Sequence, residues 1–319
     1  MMTRSEFCAQ LRAHDTYVIL THRRPDGDTI GCAAALCMGL RRMGKRAAIL
    51  QNRQFTPRFA PYLEGLICAG VPDDATVVSV DIASMGLLSF DAEPYGARLA
   101  LAVDHHGSNS LPIENKLVES GKAACGEIIY EILTELGVAI TKPIAEALYV
   151  AIATDTGCFK FSNTSANTFR VAAALMEAGA DVFPINKLFF DTKSFARLKL
   201  EARLVDTMEF FAGGCVAICC LPNAWLEEFR LTEDDVDSIS GFARSIEGVQ
   251  IGVMIREVEN GLGKLSVRTS PAYDASEICQ ALGGGGHSAA AGASVPGGVT
   301  GARRAILAVL SERGIVPER

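Results

Sequence analysis

The sequence predicts an α/β protein of two domains: a mostly parallel sheet first, then a smaller α/β domain with a mixed sheet, joined by a helical stretch. Three observations carry this reading. In the first half, short apolar runs alternate with segments of helical periodicity, the pattern of βαβ units. One run, Val77–Val80, is almost continuously apolar, as a parallel strand covered on both faces requires. At 319 residues, the chain also exceeds what one ordinary core holds.

The first strand is Tyr17–Thr21. A helical pattern runs from Thr29 to Met43, with Ala33, Ala34, Leu36, Cys37 and Leu40 available for a buried face and Gly44 as its stop. Ala47–Leu50, Thr76–Val80 and Arg98–Val103 are further strands. Helical patterns follow at Gly126–Leu136 and Pro143–Ile152, with Pro143 suited to a first turn, and at Ala166–Glu177, which stops at Gly179. From Ile185 to about Phe211 the chain reads as one long, charge-rich helix with no glycine until Gly213-Gly214, and this is the expected connector. Beyond it, strands are expected near Cys215–Leu221, Val249–Glu257 and Lys264–Thr269, with Val253, Ile255, Leu265 and Val267 facing the interior. Helices are expected near Glu233–Ile246, Asp274–Leu282 and Ala302–Glu312. The boundaries are therefore a first domain at 1–184, a helical linker at 185–213 and a second domain at 214–319. No internal repeat interrupts this order.

Composition excludes several classes. No run of about 18 uncharged apolar residues is present, so a membrane span is not expected. Met1–Phe7 lacks the apolar stretch of a secretory signal. Of the ten cysteines, Cys8, Cys32, Cys37, Cys68 and Cys125 sit in or beside apolar segments without CxxC spacing, which reads as buried, reduced thiols and a cytoplasmic protein. A net charge of −7 disfavours a broad grip on long duplex nucleic acid. A small anionic substrate is still compatible, because aspartates holding dications are locally near neutral.

Two polar clusters stand directly after apolar strands. Tyr17–Thr21 runs into His22-Arg23-Arg24-Pro25-Asp26-Gly27-Asp28, and Arg98–Val103 runs into Asp104-His105-His106. Strands ending in His and Asp deliver ligands to one edge of an open sheet. Imidazole with carboxylate suits Mn or Zn. In the first cluster Pro25 stiffens the loop and Gly27 lets it turn between two carboxylates that can serve neighbouring metals. Asp28 stands where a helix N-cap belongs, and Gly31 admits a ligand to the helix start. Taken singly, this stretch also reads as a capped turn, Asp81 as a strand-end cap and Asp155 as a turn aspartate. Asp104-His105-His106 has few structural uses, and four such ends in one domain favour a hydrolytic metal centre.

These residues resemble the DHH phosphoesterases, named for the triplet at 104–106, over nearly the whole chain. The family's motifs match His22 to Gly31, Asp81, Asp104 to His106, and Thr154 to Gly157 in the same order. The resemblance implies two Mn2+ ions. It puts His22, Asp26 and Asp81 on one, and Asp28, Asp81, His105 and Asp155 on the other, with Asp81 bridging. It implies that His106 contacts the substrate phosphate and that Asp104 accepts a hydrogen bond orienting a ligand histidine.

The last third resembles the family's associated substrate-binding domain, through Ser266-Val267-Arg268-Thr269-Ser270 and Leu282-Gly283-Gly284-Gly285-Gly286-His287. Read alone, the glycine run is a flexible loop; it is not a Walker A loop, since no Gly-Lys-Ser/Thr follows. Read with the resemblance, Gly284, Gly285 and Gly286 let N–H groups crowd an anion, with Arg268, Ser270 and His287 as further donors. The branch that fits best holds the bacterial oligoribonuclease and pAp phosphatase enzymes. It implies hydrolysis of short oligoribonucleotides, linear dinucleotides or 3′-phosphoadenosine 5′-phosphate (pAp) by a two-metal-activated water. The substrate is expected in a cleft between the domains, and a homodimer is compatible with this reading. Competing readings are a RecJ-type single-strand DNA exonuclease, a manganese inorganic pyrophosphatase and a nucleotide-binding regulator without turnover. Aromatics at 7% offer few stacking platforms for a long strand.

Overall fold

The computed structural model describes residues 1–236, 239–258 and 261–317. It separates into two compact units, Met1–Thr192 and Lys193–Arg319. Among the described residues, no helix is long and apolar enough to cross a membrane.

The first unit opens with α1, Arg4–Ala13, started by a Thr3/Glu6 capping box and anchored by buried Phe7, Cys8 and Leu11. Its sheet consists of β1 (Thr16–Leu20), β2 (Arg46–Leu50), β3 (Ile67–Cys68), β4 (Thr76–Val80), β5 (Leu99–Asp104) and β6 (Lys116–Val118). The order is β3-β2-β1-β4-β5-β6 and every pairing is parallel. The chain builds outward from β1 to β3, then returns to place β4 on the other side of β1. That reversal opens a crevice at the carboxyl ends of β1 and β4, where open α/β sheets hold their ligands.

Helices α2 (Gly27–Arg42), α3 (Ala60–Leu63), α4 (Cys125–Glu135), α5 (Lys142–Asp155), α6 (Ala166–Glu177) and α7 (Val182–Asn186) complete this unit. Tyr17 and Ile19 face the main helical core with Ile30, Leu36, Ile132 and Ile152. Val18, Leu20 and Val77 face the other way, where Ile82, Leu88 and Ala92 from an irregular segment cover them. Strands buried on both faces explain the apolar runs, although only one face is covered by long helices. Helix α2 lies very close to α5: a Cβ on Gly31 would come 2.2 Å from the Ala147 carbonyl oxygen and 2.8 Å from the Ala151 Cβ.

The second unit contains α8 (Phe195–Thr207), β7 (Glu209–Phe211), β8 (Val216–Leu221), α9 (Asn223–Glu228), α10 (Glu233–Val236), β9 (Ile251–Val258), β10 (Leu262–Thr269), α11 (Ala275–Gln280), β11 (Gly285–His287), β12 (Ala290–Pro296) and α12 (Gly298–Glu312). The sheet order is β11-β12-β10-β9-β8-β7; β8–β9 is parallel and the other pairings are antiparallel, so the sheet is mixed. Val253, Ile255, Leu265 and Val267 form the expected interior face, packed with Ile278, Ile306 and Leu310. Ala217, Cys219, Leu221 and Met254 line the opposite face beneath Leu200, Leu204 and Ile239.

The expected single helix over 185–211 is broken. Helix α7 ends at Asn186, a π-helical turn spans Lys187–Asp191, and Thr192 is extended. Ser194 caps α8 by accepting from the Arg197 N–H at 2.9 Å, an alternative that competes with helix continuation. Because Leu200 and Leu204 are buried in the second unit's own core, α8 is part of that unit and no free connector. Over 233–246, α10 is followed by a 3-10 turn at Ile239–Ser245, with 237–238 outside the described residues. Ser240 and Gly241 in this stretch weaken α-helix.

Candidate metal centre

Everything expected of the first unit's site gathers at the β1/β4 crevice. His22 leaves β1, and its backbone is pinned by Asn52, whose amide nitrogen donates to Thr21 Oγ1 at 3.1 Å and His22 O at 3.0 Å. The His22 Nδ1 lies 2.8 Å from Arg23 O. A carbonyl only accepts, so Nδ1 carries a proton, and in the neutral ring Nε2 carries the lone pair. That Nε2 stands 3.6 Å from Asp26 Oδ1 and 3.7 Å from Asp81 Oδ2.

Asp26, rather than Asp28, is the N-cap of α2, accepting from Thr29 N at 3.1 Å. The helix starts two residues earlier than the cap expectation required, because Gly27 fits against Thr154 where a Cβ would lie 2.3 Å from its Oγ1. Asp28 is fully buried inside the first turn. Its Oδ2 accepts from Cys125 N at 2.7 Å, and its Oδ1 accepts from Gly126 N at 2.9 Å and from the Cys32 thiol at 3.2 Å. The N-terminus of α4 therefore orients this carboxylate.

Asp81 closes β4 with a left-handed φ of 57°. Its Oδ2 accepts from Thr29 Oγ1 at 2.8 Å, while its buried Oδ1 has no hydrogen-bond partner. Oδ1 lies 3.6 Å from His105 Nε2, so the two oxygens of this carboxylate face different histidines. His105 Nε2 is also 3.3 Å from Asp155 Oδ2, at the end of α5, and 3.8 Å from Asp28 Oδ2. Its Nδ1 is 3.3 Å from Lys122 O, which sets its tautomer as Arg23 O does for His22.

Asp104 ends β5, fully buried, with Oδ1 accepting from His106 Nδ1 and His105 N, both at 2.8 Å, and Oδ2 accepting from Asn109 at 2.7 Å. The carboxylate thus orients His106 through its ring and His105 only through its backbone; the His105 ring takes its orientation from Lys122. Burial alone would push Asp104 up, but the His106 and Asn109 hydrogen bonds bring it below the ordinary carboxylate range. The same bond raises His106.

The donor set fits a divalent cation. Separations of 3.3–3.8 Å between imidazole nitrogen and carboxylate oxygen are long for hydrogen bonds, yet they are what two ligands about 2.1 Å from one ion display. Three groups of described residues bring all their ligand atoms within 4.8 Å of one another: His22/Asp26/Asp81, Asp28/His105/Asp155 and Asp81/His105/His106. Without a cation the carboxylates oppose one another. Burial, then the Asp26 charge, pushes Asp28 up to about 7, and burial with neighbouring carboxylates holds Asp81 and Asp155 well above the usual range.

The second-unit residues also converge. Arg268 on β10 pairs with Ala290 on β12, which pairs with His287 on β11. Cross-strand partners share a face, so Arg268 and His287 flank the small Ala290 on the sheet side opposite the α11/α12 core. The Arg268 Nη2 donates to Ser240 Oγ at 3.0 Å. Ser270 is buried with its Oγ unpartnered. The glycine run is no loose loop: Gly285–His287 is an edge strand. A Cβ would lie 2.1 Å from Gly292 O at Gly284 and 2.6 Å from Ala290 O at Gly286, while Gly285 faces open space. Two of the three glycines therefore serve strand packing. Sequence reasoning missed Asn52 and Lys122 O, whose partners lie far off in sequence, and Asn109, which is near Asp104 but stands in a loop without periodicity.

Comparison with known proteins matches this picture. Residues 16–152 match the model of the DHH family, N-terminal domain, and residues 213–313 that of the DHHA1 domain. The chain is 33% identical over 283 residues to the bifunctional oligoribonuclease and PAP phosphatase NrnA of Thermus thermophilus, covering 88% of this chain and 84% of that protein. It is 26% identical to the enzyme of the same name from Bacillus subtilis, covering 92% and 93%. An exopolyphosphatase-related protein from Bacteroides fragilis superposes with a TM-score of 0.84 at 20% identity, covering 97% of this chain and 95% of the other, a likeness of fold. With both domain models matched in order and the DHH triplet at the edge of the β1/β4 crevice, the chain belongs to the DHH family, as an NrnA-like member with a DHHA1 domain.

Proposed function

We propose that this protein is a phosphoesterase that uses two Mn2+ ions to hydrolyse short oligoribonucleotides, linear dinucleotides and pAp. The observation that carries the reading is Asp81, whose Oδ2 faces His22 and whose unpartnered Oδ1 faces His105. One carboxylate with an oxygen toward each ligand group is what a bridging ligand requires. The printed names of the Thermus and Bacillus relatives support the substrate class.

In this reading His22, Asp26 and Asp81 hold one cation, and Asp28, Asp81, His105 and Asp155 the other. When bound, such cations neutralise phosphoryl charge and acidify water. The chain's own residues do the positioning. Arg23 O and Lys122 O accept from Nδ1 of His22 and His105, so that in the neutral rings Nε2 carries the lone pair that faces the carboxylates. Asp104 holds the Nδ1 proton of His106, which leaves Nε2 to meet a phosphate oxygen. On the second unit, Arg268, Gly285 and His287 would offer donors to a phosphate group around the small Ala290, beside Ser270 and the packed glycines Gly284 and Gly286.

The test is turnover of labelled RNA from dinucleotide to about 24-mer, of pAp and of pyrophosphate, at fixed salt with Mn2+, Mg2+ or chelator. Mn2+-dependent turnover fastest on about two to five nucleotides is expected on a surface with so little phosphate-neutralising charge. Preference for long DNA, for pyrophosphate, or binding without turnover would replace it with one of the competing readings.

A further inference from the structure

The loop after Asp155 carries an unusual run of backbone. Gly157, Cys158 and Phe159 have φ of 55°, 57° and 63°, a left-handed turn that non-glycine residues adopt only where the surroundings impose it. Thr156 imposes it here: its carbonyl accepts from Lys160 N at 2.9 Å and Phe161 N at 3.0 Å, and its hydroxyl accepts from Phe159 N at 3.1 Å. Asn163 ties the loop back to Asp155 O at 3.1 Å and Ala123 O at 3.0 Å.

This turn sends two phenylalanines to different fates. Phe159 packs into the fold, 5.8 Å from the Tyr149 ring and stacked on Phe169 at 5.3 Å. Phe161 lies against Gly157, where a Cβ would fall 2.4 Å from its Cζ, and it is still 57% exposed. Phe90, also exposed, has one face taken by the Arg23 guanidinium at 4.4 Å. No such ring or cation partner of Phe161 is found among the described residues. Gly157 is two residues from Asp155, and two Cα steps span at most about 7.6 Å, so the backbone that seats this ring leaves the carboxylate cluster directly.

An aromatic ring backed by a glycine, open on the rest of its surface and seated on backbone that leaves the centre, adds little to the core. It is the form that base-stacking platforms take. We infer that Phe161 stacks on the nucleobase of the nucleotide held at the metal centre, a specificity contact that favours nucleotides over base-free phosphate esters while tolerating every base. This rests on the nucleotide phosphoesterase reading above.

Trp225 on α9 is the sole tryptophan, so Phe161→Trp adds one reporter. Metal-loaded Phe161→Trp is titrated with AMP and with ribose 5-phosphate; saturable quenching by AMP alone, absent in the wild-type protein, is expected. In parallel, kcat/KM is compared for a dinucleotide and its analogue lacking the base on the cleaved nucleotide. Phe161→Ala should lower the ratio of the two about ten- to a hundredfold, Phe161→Tyr should restore it and Phe161→Leu should not. A loss shared equally by both substrates, or equal quenching by both titrants, overturns the platform and leaves a loop-positioning role. Should the wild-type protein turn over no nucleotide, the phosphoesterase reading falls while the AMP titration still decides the stacking.

Discussion

Replacing Asp81 by asparagine separates two roles that the carboxylate combines. Asn tolerates a φ of 57° at least as well as Asp, so the backbone gains no strain. The hydrogen bond from Thr29 Oγ1 at 2.8 Å passes to the amide oxygen. Charge is what changes. In metal-free protein, burial and then Asp28 and Asp26 raise the Asp81 carboxyl well above its ordinary 3.8. A group whose folded pKa is raised binds its proton more tightly in the folded state. Its stabilisation is therefore present at low pH and lost as pH rises from the unfolded value through the folded one. Above that window the chelated wild-type protein carries a buried oxygen without a partner, at a cost of about 1–3 kcal/mol. With about 2–4 °C per kcal/mol for a unit of this size, chelated Asp81→Asn should melt about 2–12 °C above chelated wild type at neutral pH, the gap closing toward pH 4. Mn2+ should reverse the order, raising the wild-type Tm and not the variant's, while turnover of pAp by the variant falls about a hundredfold or more. Calorimetry with and without chelator from pH 4 to 8, with metal content by elemental analysis, reads all of this. A chelated variant less stable than chelated wild type at neutral pH, or a full Mn2+ shift in the variant, refutes the reasoning.

Asp104→Ala removes the acceptor that fixes the His106 tautomer, so kcat should drop about ten- to a hundredfold while bound metal persists; loss of metal would show Asp104 to be a ligand itself. Arg268→Ala and His287→Ala should leave metal content and Tm unchanged and lower kcat/KM about ten- to a hundredfold, and unchanged kinetics would remove the second-unit grip. Gly284→Ala drives a Cβ to 2.1 Å from Gly292 O and should destabilise the second unit by about 1–3 kcal/mol, whereas Gly285→Ala should fold normally; equal melting of the two would contradict the strand account. Gly31→Ala should cost at least about as much by separating α2 from α5, read as a lower Tm and weaker Mn2+ binding together.

The candidate ligand residues were legible as a group because they stand at or beside the ends of regular elements. A strand of alternating or continuous apolar residues that stops at His22, Asp81 or Asp104 announces both a sheet edge and a polar task there. The cap assignment erred by two residues because the Gly27–Thr154 contact that moves the helix start is tertiary. Ile185–Phe211 misled for a related reason: its composition favours helix throughout, and only Ser194 marks the break that separate cores enforce. The glycine run looked like a loop because glycine has no β-propensity of its own, whereas the close approach of Gly292 and Ala290 demands residues without side chains. Asn52 and Asn109 were invisible, since a lone asparagine in a loop carries no periodicity.

The ligand groups draw on residues from His22 at the end of the first strand to Asp155 at the end of α5, and α5 reaches its place only by docking on Gly31. Small zinc modules differ, because ligands close in sequence let the ion nucleate the fold. Here a cation meets a complete donor set only after the sheet has added β5 and α5 has packed. Emerging from the ribosome, the chain must carry its carboxylates protonated or solvated until then, and metal capture becomes a late checkpoint of assembly. Truncations that stop short of Asp155 should take up no Mn2+ in equilibrium dialysis even where the sheet itself has formed.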